Sequence, residues 1–386
     1  MPDCGDFAVL WVKLRSADRQ IPTRYSFFTN VSKSRGKHRK GFPCHTKTQT
    51  RRVSRHMYKW KFSTALIGAS LAILVIYSGF FLIQDSDGKR RIRLAENASP
   101  LSALTIVAGK KGFFEDEGID VDVAKFTSGK LALDAVLGGG ADIATVAETP
   151  LMFAGFSGQE FDVFATIFRS KNACKVVARK DKGINSLIDL KRKKVATFVG
   201  TNAEYFMSEI LQTVGLLSSD MEVLNLQPTE MVVALKQGDI DAYFVWEPHV
   251  FNGKSLVGDT AIVFESPGTY VTTFNIVAKP RFLETNRTDA ASFLRALVKA
   301  QSFIHDHPDE AQQIVADHTG IPLDTLKTIW GDYEFPVDLD QSLLGYLEKQ
   351  AKWALDSGRV QGVVPSYRKH INKNILEKVE GAKSEP

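Results

Sequence analysis

The sequence predicts an α/β protein built from two similar lobes. Strand and helix patterns alternate from residue 91 onward, and the alternation starts again near Gly183. One short unit of helix end, strand and turn also occurs twice. Such alternation predicts mostly parallel sheets with helices on both faces. A chain of 386 residues has room for more than one domain of this kind.

The first unit sets the pattern. Residues 91–95 read as a strand, and Ser99 followed by Pro100 is a typical helix start, since serine caps free N–H groups and proline needs none at that position. An apolar stripe over Leu101–Ala108 predicts the helix, and alternation over Ile119–Val123 predicts the next strand. The loop before the helix therefore lies at the carboxyl end of a strand, the edge where open α/β sheets bind ligands.

The repeated unit predicts a matching position in each lobe. Residues 140–150 read G-A-D-I-A-T-V-A-E-T-P, and residues 238–248 read G-D-I-D-A-Y-F-V-W-E-P. Both contain a helix end near glycine, an aspartate, a five-residue strand, and a glutamate one or two residues before a proline. Aligned on the aspartate, Glu148 matches Glu247, so each lobe is expected to place one glutamate at the carboxyl end of a strand.

The formal charge of +5 is unevenly distributed. Residues 1–61 hold fifteen Lys and Arg against three Asp, which leaves 34 basic against 41 acidic residues in the remainder. A mildly acidic body argues against nucleic-acid binding.

An apolar segment separates the basic block from the body. Phe62–Ile83 contains 22 residues without a charge, enough to span a bilayer as a helix. Basic residues crowd its N-terminal flank, so we expect an uncleaved signal anchor with the body outside the inner membrane; a cleaved signal peptide is the alternative. Residues 1–61 are then a disordered basic segment; if Met57 is the true start, residues 1–56 are instead a translated upstream stretch.

Patterns that carry catalysis are missing from the sequence. Cys4, Cys44 and Cys174 form no disulfide framework and no C-x-x-C pair. The chain has no G-x-S-x-G, no Walker loop and no pair of histidines at metal-ligand spacing on one helix. We therefore expect no cofactor, no metal and no enzymatic activity.

Several loops should meet at one sheet edge, where serine or threonine at a helix N-terminus suits an anion. Thr201 with Glu204 reads as a capping box. The hydroxyls are alternatively simple helix caps, Trp246 alternatively packs between layers, and Glu148 and Glu247 either receive an amine or bind their own loops. The candidate ligand-binding residues are Ser99, Ser102, Ser128, Glu148, Thr149, Gly200, Thr201, Asn202, Trp246 and Glu247.

These residues resemble a known family. The sequence is similar to substrate-binding proteins of ABC importers for aliphatic sulfonates, taurine, nitrate and thiamine-pyrimidine precursors, the SsuA/THI5-like or NMT1-like family. The resemblance rests on S-P-L-S-A-L, G-K-K-G-F-F-E-D-E-G-I-D-V-D-V, F-T-S-G, G-A-D-I-A, residues 199–203 and G-D-I-D-A-Y-F-V-W-E-P. It covers residues 91–280.

The resemblance implies a type II periplasmic-binding-protein fold that closes on its solute. Lobe 1 would be residues 91–173 plus 279–386, and lobe 2 residues 174–278, with crossing strands near Lys171–Lys180 and Thr269–Ala278. The implied partners are a small solute, an ABC permease and, through it, an ATPase; we expect a monomer.

Two other functions remain open at this point. The first is binding of a thiamine-pyrimidine precursor, or a synthase-like enzyme on the same fold, although that branch depends on a histidine- and cysteine-rich site that the sequence lacks. The second is a sensory receptor ectodomain, for which residues 1–61 are too short to supply an output module.

Overall fold

The computed structural model describes residues 90–381. Phe62–Ile83 and the basic segment before it lie outside these residues, so the predicted signal anchor is not part of the description. Among residues 90–381, no helix is both long and apolar enough to cross a membrane.

Ten strands within residues 90–381 form two separate five-stranded sheets. They are β1 (Arg90–Asn97), β2 (Ile119–Phe126), β3 (Ile143–Ala147), β4 (Asp162–Ser170), β5 (Cys174–Arg179), β6 (Lys194–Thr197), β7 (Glu222–Asn225), β8 (Ala242–Trp246), β9 (Ala261–Phe264) and β10 (Thr272–Ala278).

The two sheets share one plan. The first has the order β2-β1-β3-β10-β4 and the second β7-β6-β8-β5-β9. In each order, the second strand (β1 or β6) pairs in parallel with its two neighbours, while the fourth (β10 or β5) pairs antiparallel with its two neighbours. The prediction of mostly parallel sheets is therefore wrong, since half of the strand pairs are antiparallel. The two strands that pair antiparallel, β5 and β10, each enter their sheet directly from the other sheet. Parallel pairing needs a crossover connection between strands of the same sheet, and neither strand is preceded by one.

Thirteen helices surround the sheets in the described residues. They are α1 (Ala103–Lys110), α2 (Phe113–Asp116), α3 (Gly129–Leu137), α4 (Glu148–Phe156), α5 (Asn202–Gln212), α6 (Pro228–Gln237), α7 (His249–Val257), α8 (Pro280–Thr285), α9 (Arg287–Asp306), α10 (Pro308–Thr319), α11 (Leu323–Trp330), α12 (Ser342–Asp356) and α13 (Asn374–Gly381).

Each sheet has its own apolar core. Around the first sheet, Phe114 of α2 stacks on Phe293 of α9 with ring centroids 5.0 Å apart, and both rings are fully buried with Ile143 of β3. Around the second sheet, Tyr243 and Phe244 of β8 are fully buried. Two separate cores allow the two halves to move as units.

The repeated unit occupies equivalent positions in the two sheets. β3 and β8 are both the third strand in their sheet. Asp142 before β3 accepts a hydrogen bond from the backbone N–H of Arg93 at 2.9 Å. Asp241 before β8 accepts one from the backbone N–H of Lys194, also at 2.9 Å. Each aspartate thus ties the start of its strand to the neighbouring parallel strand.

The chain passes between the sheets twice within the described residues. Residues 171–173 join β4 to β5, and residues 265–271 join β9 to β10. The segment after β10 returns to the first sheet, where the Asp338 carbonyl accepts the backbone N–H of Thr166 at 2.6 Å. The first half of the chain is thus completed by its C-terminal helices.

Candidate functional site

A groove of about 700 Å³, here called the mouth groove, runs along α3 and α4, and residues near the starts of three helices line one end of it. Lys130 lies in the first turn of α3, Pro150 in the first turn of α4, and Val199 and Gly200 in the loop before α5. Lys130 Nζ donates to the Val199 carbonyl at 3.1 Å and lies 5.0 Å from the centroid of the Phe198 ring. Since α3 and α4 flank the first sheet and α5 the second, both halves of the protein build this groove.

The first-turn backbone of these helices and Lys130 give this end of the groove a positive field. Unpaired N–H groups and the helix dipole both favour a negative charge at a helix N-terminus. Ser128, predicted as a ligand-binding residue, caps α3, since its Oγ accepts the backbone N–H of Leu131 at 3.2 Å. The sequence reading missed Lys130, although it follows the capping serine by two residues in F-T-S-G-K.

Thr149 and Thr201 are both buried at these helix starts. Thr149 Oγ1 has no hydrogen-bond partner among residues 90–381. Thr201 Oγ1 donates to the Phe198 carbonyl at 2.6 Å, so the predicted capping box is wrong. The Glu204 carboxylate instead accepts the backbone N–H of Gly200 at 2.8 Å, which Gly200 presents by adopting a left-handed φ of 83°.

Ser99 and Ser102 are turned toward protein partners. The Ser99 hydroxyl donates to the Asn97 side-chain oxygen, and Ser102 Oγ donates to Thr145 Oγ1 at 3.0 Å. Ser99 precedes a 3-10 turn over Pro100–Ser102 and makes no capping hydrogen bond, so its predicted role as a helix cap is wrong. Competition from the nearby Asn97 amide explains the difference.

Glu148 is wholly buried and has four donors. Its carboxylate accepts the Tyr270 hydroxyl, the backbone N–H and hydroxyl of Thr273 at 2.8 and 3.0 Å, and Gln350 Nε2 at 2.9 Å. Burial raises the pKa of this carboxyl. An amine would have to displace protein donors to reach it, so of the two predicted roles the geometry favours hydrogen bonding within the protein.

Asn202 and Cys174 connect the starts of α4 and α5. Asn202 Nδ2 lies 3.2 Å from Cys174 Sγ. Burial raises the pKa of the Cys174 thiol, and the nearby charge of Glu148 raises it further. The thiol therefore stays protonated and unreactive, and its position shows that Glu148 and Asn202, from different halves, lie close together.

Trp246 and Glu247 lie away from the mouth groove. Trp246 is 3% exposed and meets the edge of the His249 ring at a centroid distance of 6.4 Å, which fits packing between layers. Glu247 lines a second groove of about 830 Å³ together with Lys175 and Asp332. Burial raises the pKa of the Glu247 carboxyl, and its Oε2 accepts the Phe251 N–H at 2.9 Å. Gly200 and Glu247 thus line different grooves.

A set of contacts from the C-terminal segment to α5, here called the α12 clasp, joins the two halves. Trp353 Nε1 donates to Ser208 Oγ at 2.8 Å, and Lys349 Nζ pairs with Glu209 at 2.8 Å. Just beyond α12, Arg359 pairs with Glu204. Because α5 begins at the mouth groove, the clasp holds one wall of that groove.

Comparison with solved structures identifies the class of fold. The periplasmic aliphatic sulphonate binding protein SsuA of Escherichia coli superimposes with a TM-score of 0.63 at 18% identity, over 75% of this chain and 99% of that one. The periplasmic nitrate-binding protein NrtA of Synechocystis PCC 6803 gives 0.61 at 17% identity, over 77% and 90%. The fold is that of a periplasmic binding protein.

Sequence comparison then identifies the family. The model described as NMT1/THI5 like matches residues 99–311, and the chain belongs to this family, as the resemblance predicted. One relative from Bacillus subtilis (strain 168) is named as an aliphatic sulfonates-binding protein. It is 29% identical over 237 residues, which cover 59% of this chain and 68% of the length of the relative. The taurine-binding periplasmic protein of Escherichia coli (strain K12) is 25% identical over 279 residues, 69% of this chain and 86% of its own.

Proposed function

We propose that this protein is the solute-binding component of an ABC importer. It captures a small polar or anionic solute, of the aliphatic sulfonate, taurine or nitrate class, between its two lobes and presents it to the permease. The observation that carries the proposal is the meeting of three helix N-termini from two sheets beside Lys130. Several relatives are named as proteins that bind sulfonates, taurine or nitrate, and these names support the same class of solute.

The domain assignment proposed here follows the two sheets. Lobe 1 comprises residues 91–173 plus 272–386, and lobe 2 comprises residues 174–271. The boundary expected after residue 278 moves to residue 271, because β10 pairs with β3 and β4 of the first sheet. We propose that Phe62–Ile83 anchors the chain in the inner membrane, with the lobes on the outer side, because the apolar segment has basic residues on its N-terminal flank. Relatives named as periplasmic proteins support this location.

Binding rather than catalysis is the proposed work of the site. Cys174, the one cysteine of residues 90–381, is buried, and burial raises the pKa of its thiol. Residues 90–381 contain no cluster of metal-ligating side chains. Closure of the lobes around the solute would create the form that a permease recognises. The proposed ligand set is centred on Gly200, which lines the mouth groove, and on four residues buried at the same helix starts: Ser128, Thr149, Thr201 and Asn202.

Thr149 gives the sharpest test of this site. Thr149→Val keeps the shape of the side chain but removes a hydroxyl that has no partner among the described residues. We expect unchanged or higher thermal stability, because a buried orphan hydroxyl is removed. We also expect weaker binding of methanesulfonate, measured by isothermal titration calorimetry on the full-length protein.

Thr319→Val is the matched control. Thr319 ends α10, and its hydroxyl donates to the Val315 carbonyl at 2.7 Å. This variant should leave affinity unchanged. If methanesulfonate, taurine, nitrate and bicarbonate all fail to bind the wild-type protein, the proposed solute range is wrong.

A pyrimidine precursor is the second candidate solute. A thiamine biosynthesis protein of Haemophilus influenzae, so assigned by name, is 26% identical over 253 residues, 64% of this chain and 79% of its own. The same calorimetric titration with a hydroxymethylpyrimidine distinguishes this candidate from the anionic solute proposed first. Exclusive binding of the pyrimidine would favour the second candidate.

A further inference from the structure

The two lobes also face each other across a groove beside the linkers. This groove of about 830 Å³, here called the hinge groove, is lined by α7 of lobe 2 and α11 of lobe 1. Glu265, which lines it, begins the second linker, and Lys175 follows the first. Asp332 lines it as well, and its carboxylate accepts Asn172 Nδ2 of the first linker at 2.8 Å. The hinge groove therefore lies directly against the linkers.

The α12 clasp and the hinge groove lie on opposite faces of the second sheet. Phe244 of β8 meets Phe206 of α5 with ring centroids 6.3 Å apart. Its neighbour Tyr243 points the other way, since the Tyr243 hydroxyl donates to the His249 carbonyl at the start of α7 at 2.8 Å. Successive side chains of a strand point to opposite faces of its sheet. A rotation of lobe 2 about the linkers that releases α5 from the clasp therefore brings α7 toward α11.

The charges on the two walls of the hinge groove are of opposite sign. The lobe 1 wall carries two carboxylates, Asp324 and Asp332. On the lobe 2 wall, two lysines, Lys180 and Lys254, outnumber one exposed carboxylate, Asp259. All five side chains are exposed, and none of them takes part in an ion pair within residues 90–381. The two walls therefore attract each other whenever they approach.

The remaining ionisable groups of the hinge groove add little net charge. Lys175 Nζ pairs with Glu265 at 2.9 Å. Glu247 is 3% exposed, and burial raises the pKa of its carboxyl, which favours the neutral form. The lobe 2 wall thus stays positive opposite the negative wall of lobe 1.

We propose that the hinge groove is a counter-latch that stabilises the open form of the protein. When the mouth opens, Lys254 and Lys180 approach Asp324 and Asp332, and this attraction offsets the contacts of the α12 clasp. Clasp and counter-latch act on opposite faces of one sheet, so the difference between them sets the closed fraction of the solute-free protein. The counter-latch rests on the lobe closure of the proposed function but not on the identity of the solute.

Double electron–electron resonance on the solute-free, full-length protein tests the counter-latch. One nitroxide label is attached at Gln159→Cys, an exposed position of lobe 1 that lines the mouth groove. The other is attached at Gln212→Cys, an exposed position at the end of α5. Serine replaces Cys4 and Cys44, whereas Cys174 is buried and stays unlabelled. The distance distribution gives the open and closed populations, and both should be present without solute.

Changes of the Lys254 charge should favour the closed form. Loss of one exposed ion pair should lower the ratio of open to closed protein about 2- to 5-fold in Lys254→Met. Lys254→Glu should lower the ratio further, because attraction becomes repulsion. Both variants should converge with the wild type in 1 M salt, where the Debye length is about 3 Å. Lys236→Glu, on α6 and outside both grooves, is the matched control and should leave the ratio unchanged.

An exchange of charges separates attraction between the walls from a merely structural role of Lys254. Lys254→Glu combined with Asp324→Lys restores opposite signs across the hinge groove and should move the ratio back toward the wild-type value. The counter-latch is refuted by a single distance in the solute-free wild type, by an unchanged ratio in Lys254→Glu, or by no recovery in the exchange variant. Failure of every candidate solute to bind would instead refute the proposed solute range, and the distance result would decide the counter-latch independently.

Discussion

Replacing Lys130 with methionine tests the electrostatic basis of the site. Lys130 Nζ contacts the Val199 carbonyl at 3.1 Å across the lobes. Methionine keeps most of the aliphatic stem but removes the ammonium. The lobes therefore lose one charged hydrogen bond, and the proposed anion loses the nearest cation.

The magnitude follows from the position of the ammonium. A unit charge 4 Å away contributes about 1 kcal/mol in water and about 4 kcal/mol at the effective dielectric constant of a protein surface. Lys130 is half-buried, so solvent screening places the loss near the lower end, at about 1–2 kcal/mol. Affinity for methanesulfonate should therefore fall about 5- to 30-fold.

Calorimetric titration at two ionic strengths gives a second readout. Wild-type affinity should weaken as salt is raised from 0.1 M to 1 M, because the Debye length shrinks from about 10 Å to about 3 Å. The Lys130→Met variant should depend less on salt. Lys236→Met, which removes a lysine near the end of α6 outside the mouth groove, is the matched control. Equal methanesulfonate affinity for wild-type and Lys130→Met would refute the reasoning.

Three further substitutions test packing, proton linkage and lobe contact. Gly253→Ala should cost about 1–3 kcal/mol in urea unfolding, because its new Cβ would lie 1.7 Å from the Tyr243 hydroxyl. Burial lowers the pKa of His249 to about 4, so the wild type should lose about 2–3 kcal/mol from this group between pH 7 and 4.5, a loss absent from His249→Asn. Trp353→Phe removes the 2.8 Å hydrogen bond to Ser208 and should lower apparent solute affinity up to fivefold in calorimetry.

Each of these substitutions has a control. Gly345→Ala is the control for Gly253→Ala, because Gly345 lies in α12 with no atom within 4 Å of the new Cβ. This variant should raise the free energy of unfolding by about 0.5–1 kcal/mol. His305→Asn changes an exposed histidine and should leave the pH dependence intact. Lys352→Met, the control for Trp353→Phe, changes an exposed side chain of α12 and should leave apparent solute affinity unchanged. Equal unfolding of Gly253→Ala and wild type, or unchanged pH dependence in His249→Asn, would contradict the respective argument.

The direction of the histidine effect follows from its buried, neutral state. The folded pKa lies below the unfolded value of about 6.5, so the stabilisation is present above pH 6.5 and lost as pH falls toward 4. Glu148 and Glu247 act in the opposite sense, since burial raises both pKa values and favours the folded state at low pH. Comparison with the histidine variant isolates the histidine contribution.

Local sequence patterns predicted the strands and helices well because they depend on neighbours in the chain. The strand over 143–147 and its counterpart over 242–246 were both readable from apolar runs after an aspartate. The antiparallel placement of β5 and β10 was not, because a strand's direction in its sheet depends on how the chain crosses between lobes. Residues 171–173 are too short for a helical crossover, and that was a usable signal.

The candidate site was harder to predict because the hydrogen-bond partner of a hydroxyl group depends on which groups the fold brings close to it. Ser99 and Thr201 look like caps in sequence, but Asn97 and the Phe198 carbonyl bind their hydroxyls instead. The partners of Glu148 come from Tyr270 in the linker before β10, from Thr273 in β10 and from α12, more than 120 positions away. Lys130 and Arg359 meet one groove from distant parts of the chain, and no local pattern joins them.

The α12 clasp bears on how tightly a solute must bind to close the lobes. Its hydrogen bond and ion pairs contribute about 0.5–1.5 kcal/mol each at most, since the lysine and arginine partners are part-exposed. Protein contacts therefore supply part of the closing free energy before any solute contact forms. Apparent affinity equals intrinsic affinity multiplied by the closed fraction, so weakening the clasp should lower apparent affinity by the same factor for every solute that binds the closed form alone.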